Sequence, residues 1–516
     1  MNISSSGSGL LVALLLVPVL GALVVAFLKD NDQLAKRVAL VFGLVEFVLA
    51  IVAWVAYEPT GARLQQHFSV DWIPTFGVHI SFGVDGIALV MVATIALLVP
   101  LLIGASWTDK LPEGRSVGGF LALILVEEAL TIGVFAATDV FLFYVLFEIM
   151  LIPMYFLIGS YGGARRQYAA VKFFLYSFLG GLIMLASAIG CYSMASNELG
   201  QGTFDWPSLV QVVHDAPLGT QIWLFLGFFT AFAVKAPLVP FHTWLPDAHV
   251  EAPTAGSIIL AGVLLKLGGY GFLRYSLPLL PDASKSFAPI VIGLAVIAVL
   301  YGAMVSMVQP DLKKLIAYSS VSHMGFVMLG VFVFNTQGLQ GAVFQMISHG
   351  VTTGALFLLV GVIYERTHDR QIAHMGGLNG RLPRYAAIFG LFTFASIGLP
   401  GLSGFIGEFL VVLGSFQYSG WVAAATMLVV IISAVYMLWM FQRVFFAVPS
   451  DWMRRAWPTL NDMTRNEWLA LTPLILLVVG MGVLPGPILD AISAPVQRIL
   501  DAVNASPGLT SFRLPW

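Results

Sequence analysis

Fourteen apolar runs of about twenty residues follow one another along the sequence, each the length a helix needs to cross the hydrocarbon core of a bilayer. They fall near 9–28, 36–57, 84–107, 117–137, 139–159, 168–195, 221–245, 254–278, 288–308, 314–334, 339–363, 384–415, 419–447 and 467–486. A backbone in lipid must satisfy its own hydrogen bonds, so such runs become helices. The expected fold is an all-α polytopic membrane protein, and 59% hydrophobic against 10% charged residues excludes a soluble domain. The first run has a neutral start and no small-residue cleavage pattern before Lys29, and is read as a retained span. The longest connections, 58–83 and 196–220, mix Trp and Pro with scattered polar residues and are predicted to lie on the membrane surface.

A formal charge of −2 leaves no basic field for nucleic acid and no acidic tail. Cys191 is the single cysteine, so there is no internal disulfide and no thiolate set for an iron-sulfur cluster or zinc. Sorting Lys and Arg by connection puts 17 on one side and five (Arg63, Arg274, Lys285, Arg498, Arg513) on the other. The richer side is expected to be cytoplasmic and both termini to lie outside. Lys172, Lys235 and Lys266 remain, and all three fall within spans.

Two stretches, "GFFTAFAVKAPLVPF" (227–241) and "GLFTFASIGLPGLSG" (390–404), align without gaps at an offset of 163 and share Gly227/Gly390, Phe229/Phe392, Thr230/Thr393 and Pro237/Pro400. Each carries helix breakers in mid-membrane: Pro237 and Pro240 in one, Pro400 with Gly398, Gly401 and Gly404 in the other. Proline lacks an N–H and frees a carbonyl four residues back, so both breaks should face protein or water. Taken as spans 7 and 12, they define a repeat of five spans, 4–8 and 9–13. Five is odd, so the second copy enters the membrane inverted, as in transporters with an ion site at the repeat interface. The predicted divisions are 1–116 (spans 1–3), 117–280 (first repeat), 281–447 (inverted repeat) and 448–516 (span 14 and tail).

Glu148 lies nine residues into span 5, roughly 13 Å deep. Lys266 in span 8, His323 in span 10 and His349 in span 11 lie at similar depth, and Lys235 and Glu408 sit beside the two breaks. A charge at mid-span costs about 2.5–3.5 kcal/mol on insertion scales, so six such groups need partners or water. A buried lysine whose carboxylate neighbour approaches or withdraws can take up and release a proton, which makes the row a candidate proton pathway. Structural alternatives stand beside this reading: a static Glu148–Lys235 ion pair, and histidines that only bridge helices. Glu46, Glu127 and Glu128, on spans 2 and 4, fit contact with a neighbouring subunit or a lateral connection as well as conduction. Lys172, near the start of span 6, can snorkel to the surface. In "HTWLPDAHVEAP", His242, Asp247, His249 and Glu251 match no strong metal spacing. No phosphate-cradling glycine loop or nucleophile elbow is present.

The stretches "KAPLVPFHTWLPDAHVEAPTAGSIILAGVLLKLGGYG", "PDLKKLIAYSSVSHMGF" and "GLPGLSGFIGEF" resemble the antiporter-like membrane subunits of proton-pumping NADH:quinone oxidoreductase, respiratory complex I. The similarity runs over nearly the whole chain. It implies about fourteen transmembrane helices in two inverted five-helix bundles, and two half-channels joined along a central polar axis. Residue by residue it implies Glu148 paired with Lys235, Lys266 as the central lysine, His323 and His349 as linking groups, and Glu408 as the terminal residue. Within the family Glu408 fits the M branch, since the sister chains L and N are expected to carry lysine there. The roughly thirty residues after span 14 are too few for the long lateral helix of the L branch.

The resemblance implies a non-redox subunit of the enzyme whose own chain holds no cofactor or metal. FMN and iron-sulfur clusters are expected in partner subunits, and chains L and N among the neighbours in a bacterial inner membrane. A cation/proton antiporter or membrane-bound hydrogenase subunit shares the fold and is the alternative. A non-conducting scaffold is disfavoured, because apolar residues at these depths would serve it better.

Overall fold

The computed structural model describes residues 3–28, 31–108 and 111–505. Lys29, Lys110 and Arg513, counted above among the connecting residues, lie outside them. Among the described residues thirteen helices are long and apolar enough to cross a membrane. Span 12 completes the fourteen in two shorter pieces, Pro383–Ile397 and Ser403–Tyr418. Many spans start where the sequence supplies an acceptor for the first free amides. Asp85 caps span 3 (Gly86–Ala105), Ser116 span 4 (Val117–Ala136), Asp311 span 10 (Leu312–Phe332) and Asn335 span 11 (Thr336–Thr367). Thr464 and Glu467 form a reciprocal capping box on span 14 (Arg465–Val483).

Both predicted breaks are present, and local hydrogen bonding shows how they are tolerated. Span 7 runs Leu218–Lys235 and stops. Pro237 cannot donate to the Ala233 carbonyl, so the Leu238 amide takes that acceptor (2.9 Å). The Val234 carbonyl is thereby left over, and the Trp244 indole N–H donates to it (3.0 Å). The chain resumes as a short helix, Trp244–Glu251, so the single run predicted over 221–245 is a helix, a turn and the start of a second helix. Span 12 ends differently. Gly398 adopts the left-handed region (φ 82°), its amide donates to Ala395 (3.3 Å) and that of Leu399 to Phe394 (3.1 Å). This glycine-terminated Schellman cap closes the helix before Pro400.

Burial divides the spans into a core and a rim. The apolar windows of spans 8 (Thr254–Leu279), 10 and 11 are 100%, 94% and 100% buried, whereas those of spans 1, 2, 13 and 14 are one-third buried or less. Three of the six candidate residues therefore stand on helices wholly surrounded by the chain itself.

Neither long connection is helical throughout. Residues 58–84 contain an antiparallel hairpin, β1 (Gln65–Ile73) and β2 (Val78–Val84), turned at Pro74–Phe76 and Gly77 (φ 56°). The second connection holds a short helix, Trp206–Val213, capped by Asp205. After span 14 an amphipathic helix, Gly486–Ala505, buries Ile492, Val496, Ile499 and Val503 along one face.

Candidate functional site

Span 8 is an α-helix interrupted by two wider turns, at Leu260–Leu264 and Phe272–Ser276. In the first, the Leu265 amide reaches past Ala261 to the Leu260 carbonyl (3.2 Å), and Ala261 loses the amide an α-helix would give it. Lys266 occupies the vacancy: its ammonium, fully buried, donates to the Ala261 carbonyl. The other neighbour of Lys266 Nζ is His349 Nδ1, at 2.7 Å. Glycine makes this approach possible. A Cβ on Gly350 would stand 2.6 Å from the Gly262 carbonyl oxygen, so spans 8 and 11 cross there with no room for a side chain.

From His349 the line continues. The His349 and His323 rings lie 5.4 Å apart, centre to centre, and His323 Nδ1 is 2.9 Å from Glu408 Oε1. The Gln345 amide, one turn before His349, donates to Glu408 Oε1 (3.2 Å) and lies 3.4 Å from His323 Nδ1. Ser396 Oγ is 3.4 Å from His323 Nε2, and Ser348 pairs with Ser403 (2.8 Å) across spans 11 and 12. Glu408 is placed by the break in span 12, its Oε2 close against Gly398. Lys266, His349, His323 and Glu408 thus stand in a row as two hydrogen-bonded pairs, Lys266–His349 and His323–Glu408, whose imidazole rings are neighbours. His349 Nε2 is buried without a partner among the described residues, and all four residues are at most 5% exposed. A charged Lys266 donates to a bare His349 Nδ1, while a neutral Lys266 accepts from an Nδ1–H, so the 2.7 Å contact is a proton-transfer geometry in either state.

The first half is arranged differently. Lys235 ends the span 7 helix, with Nζ 4.9 Å and 5.5 Å from the ring centres of Phe147 and Phe173. Glu148 stands where span 5 passes from Val140–Ile149 into Leu151–Tyr161, its carboxylate pressed against Gly181 of span 6 (Arg166–Leu199). Neither Lys235 Nζ nor either Glu148 oxygen has a hydrogen-bond partner among the described residues. They are near enough for each charge to act on the other, yet not in contact. In this structure the implied pair is two uncommitted charges beside aromatic rings, not a closed ion pair. Lys235 ends the helix before the break at Pro237 and Pro240, whereas Glu408 lies on the helix Ser403–Tyr418 that follows the break at Pro400.

Several residues take places the sequence did not foretell. Lys172 forms a partly buried ion pair with Asp247 (2.7 Å), in place of the predicted snorkelling. Lys313, placed by the sequence in a connection, is 5% exposed inside the start of span 10 and donates to the Ala252 carbonyl (2.6 Å). Glu46, Glu127 and Glu128 are all fully buried within the chain, with no hydrogen-bond partner among the described residues. The loop residues weighed for a metal do not converge: Asp247 pairs with Lys172, Glu251 lies 3.8 Å from Arg165, and His242 packs on Tyr301.

His249 stacks flat on Phe357 (4.6 Å, 7°) with both ring nitrogens buried and without partners among the described residues. It is close enough to Lys266, Lys313 and His349 for their charges to act on one another. Glu251 and Lys313 line a cavity of about 350 Å³ at the end of the bundle rich in Lys and Arg, together with Glu365 and Arg370.

The family model described as "NADH:quinone oxidoreductase/Mrp antiporter, TM" matches residues 137–435. A protein of Rhodobacter capsulatus named NADH-quinone oxidoreductase subunit M is 45% identical over 92% of this chain and 92% of its own length. Among solved structures, a chain of respiratory complex I from Thermus thermophilus with bound NADH superposes with a TM-score of 0.86 and 34% identity, covering 96% of this chain and 99% of that one. A chain of the Mrp complex from Dietzia sp. DQ12-45-1b reaches 0.84 at 19% identity over 96% of this chain and 99% of that one, which shows a shared fold.

Proposed function

Since the chain belongs to the NADH:quinone oxidoreductase/Mrp antiporter family of transmembrane proteins, we propose that it is the M-type, proton-translocating membrane subunit of an NADH:quinone oxidoreductase. NADH oxidation by quinone takes place on flavin and iron-sulfur groups in partner subunits, and this chain contributes no redox step. It lies in a bacterial inner membrane beside the sister chains L and N, with both termini on the periplasmic side. The five-span units 117–280 and 281–447 each supply half of the path.

The observation that carries this reading is the row Lys266–His349–His323–Glu408, hydrogen-bonded at its two ends (2.7 Å and 2.9 Å) and bridged in the middle by two imidazoles 5.4 Å apart, a gap a small ring rotation or one water closes. A proton taken up at the cavity beside Lys313 and Glu251 reaches Lys266 by way of His249, then passes through the two histidines to Glu408. Glu148 and Lys235 regulate that step. Because neither is committed to a partner, a small shift of either changes the field at the centre of the bundle, where an uncompensated charge is felt most strongly. Conformational change arriving from neighbouring subunits would act through them.

The test is Lys266→Met in the assembled enzyme, with proton pumping by inside-out membrane vesicles measured beside NADH oxidation. Fewer protons moved per NADH is the expected result. An unchanged ratio in fully assembled enzyme would refute the assignment.

A further inference from the structure

At the end of the bundle poor in basic residues, five separate segments meet: the loop before β1, the starts of span 3 and of the Trp206–Val213 helix, the end of span 8, and the helix Gly486–Ala505. Three of the five basic residues the sequence assigns to that side, Arg63, Arg274 and Arg498, come together there around one carboxylate, Asp85. Arg274, 5% exposed, reaches Asp85 Oδ2 through Nη1 (3.0 Å) and donates from Nε to Tyr270 (2.9 Å). Its Nη2 is buried without a partner. Arg498 donates from Nη2 to the Gly61 carbonyl (2.8 Å), and its Nη1 is likewise buried and unpartnered. The guanidinium carbons of Arg63 and Arg274 lie 4.6 Å and 5.1 Å from the centre of Trp206, whose buried indole N–H also lacks a partner.

These residues line a cavity of about 10 Å³, room for a single water-sized particle. The residues around it hold three buried N–H donors without partners among the described residues, and an excess of two positive charges. Burial, together with the nearby Arg274, pushes the Arg63 guanidinium down to about 10, even with Asp85 opposing. Guanidinium groups do not relieve such crowding by shedding protons at neutral pH, so a compensating anion is the remaining route.

We propose that this cavity binds one halide-sized monovalent anion, chloride under ordinary ionic conditions, between Arg274, Arg498 and Trp206. A halide is larger than a water molecule and enters by a small outward shift of the surrounding side chains; a tetrahedral oxyanion, whether free phosphate or a lipid headgroup, is larger still and does not fit. The bound ion fastens the C-terminal helix to the end of span 8, the same helix that carries Lys266 about 12 Å further in. The inference stands on this geometry and does not depend on the proton route.

Bromide is the probe. Crystals of the assembled enzyme soaked in bromide and measured at the bromine absorption edge should show an anomalous peak in hydrogen-bond reach of Arg274 and Arg498. In solution the thermal dissociation midpoint should be a few degrees higher in chloride than in gluconate at equal ionic strength. Arg498→Gln should abolish that difference; should it fail to assemble, Trp206→Phe, which keeps the stacking and removes one donor, is read the same way. Equal midpoints in both salts with no anomalous peak would overturn the proposal, as would tetrahedral density in the cavity.

Discussion

Replacing Gly350 by alanine tests the contact on which the central line depends. The added Cβ would stand 2.6 Å from the Gly262 carbonyl oxygen, where ordinary contact begins at 3.4 Å, so spans 8 and 11 must part by about 0.8 Å at that level. Lys266 Nζ and His349 Nδ1, now 2.7 Å apart, would move to about 3.5 Å, beyond hydrogen-bond reach. A hydrogen bond to a charged group is worth about 1.5–3 kcal/mol. If that appears in the barrier to proton transfer, the step slows roughly 10- to 150-fold. The assay is the ratio of proton pumping to NADH oxidation in inside-out vesicles, with oxidation also measured under uncoupler to establish that the redox arm is intact. Gly354→Ala is the control. It lies one turn further along the same face, and its Cβ would meet Ile258 and Leu98 at 3.6 Å and 3.7 Å, in ordinary contact. A normal ratio in assembled Gly350→Ala, or an equal loss in Gly354→Ala, would refute the reasoning.

In Gly181→Ala the new methyl would collide with the Glu148 carboxylate and displace it; fewer protons pumped per NADH is expected, and normal coupling would show that the position of Glu148 is immaterial. His249→Phe keeps the stacking on Phe357 and removes both nitrogens, so assembly should be normal and pumping reduced, whereas unchanged pumping takes His249 off the route. Glu467→Ala removes the paired contacts with Arg366 (2.7 Å and 2.9 Å) and one arm of the capping box on span 14. It should cost about 1.5–3 kcal/mol, read as earlier dissociation of the subunit on heating or in detergent, with pumping by the assembled fraction intact; wild-type resistance would discount the contact.

The residues that carry the argument were legible because a charge inside an apolar run is costly enough to require a reason. Lys235, Lys266, Glu148 and Glu408 are conspicuous on that ground alone, and Pro237 and Pro400 mark the breaks in both repeats. What surrounds them was less legible. Gln345 stands one turn before His349, a spacing visible in the sequence, yet an uncharged amide costs too little in a helix to draw attention. Lys313 reads as a connecting residue beside Lys314, because only the fold shows that Asp311 starts span 10 early enough to bury it. The wide turn at Leu260–Leu264 depends on how span 8 packs against its neighbours and leaves no mark in hydropathy. A search for twenty-residue runs passes over strands of nine and seven residues, which is why the hairpin went unforeseen.

The near-complete enclosure of spans 8, 10 and 11 has a practical consequence for the proposed relay along them. Its insulation is made of protein, so the dielectric around Lys266 and the two histidines is fixed when the chain folds and travels with it from one bilayer to another. Exchanging acyl-chain length or headgroup charge should therefore leave the intrinsic conductance of the row untouched. Any sensitivity to lipid must be transmitted through the partly bare outer helices.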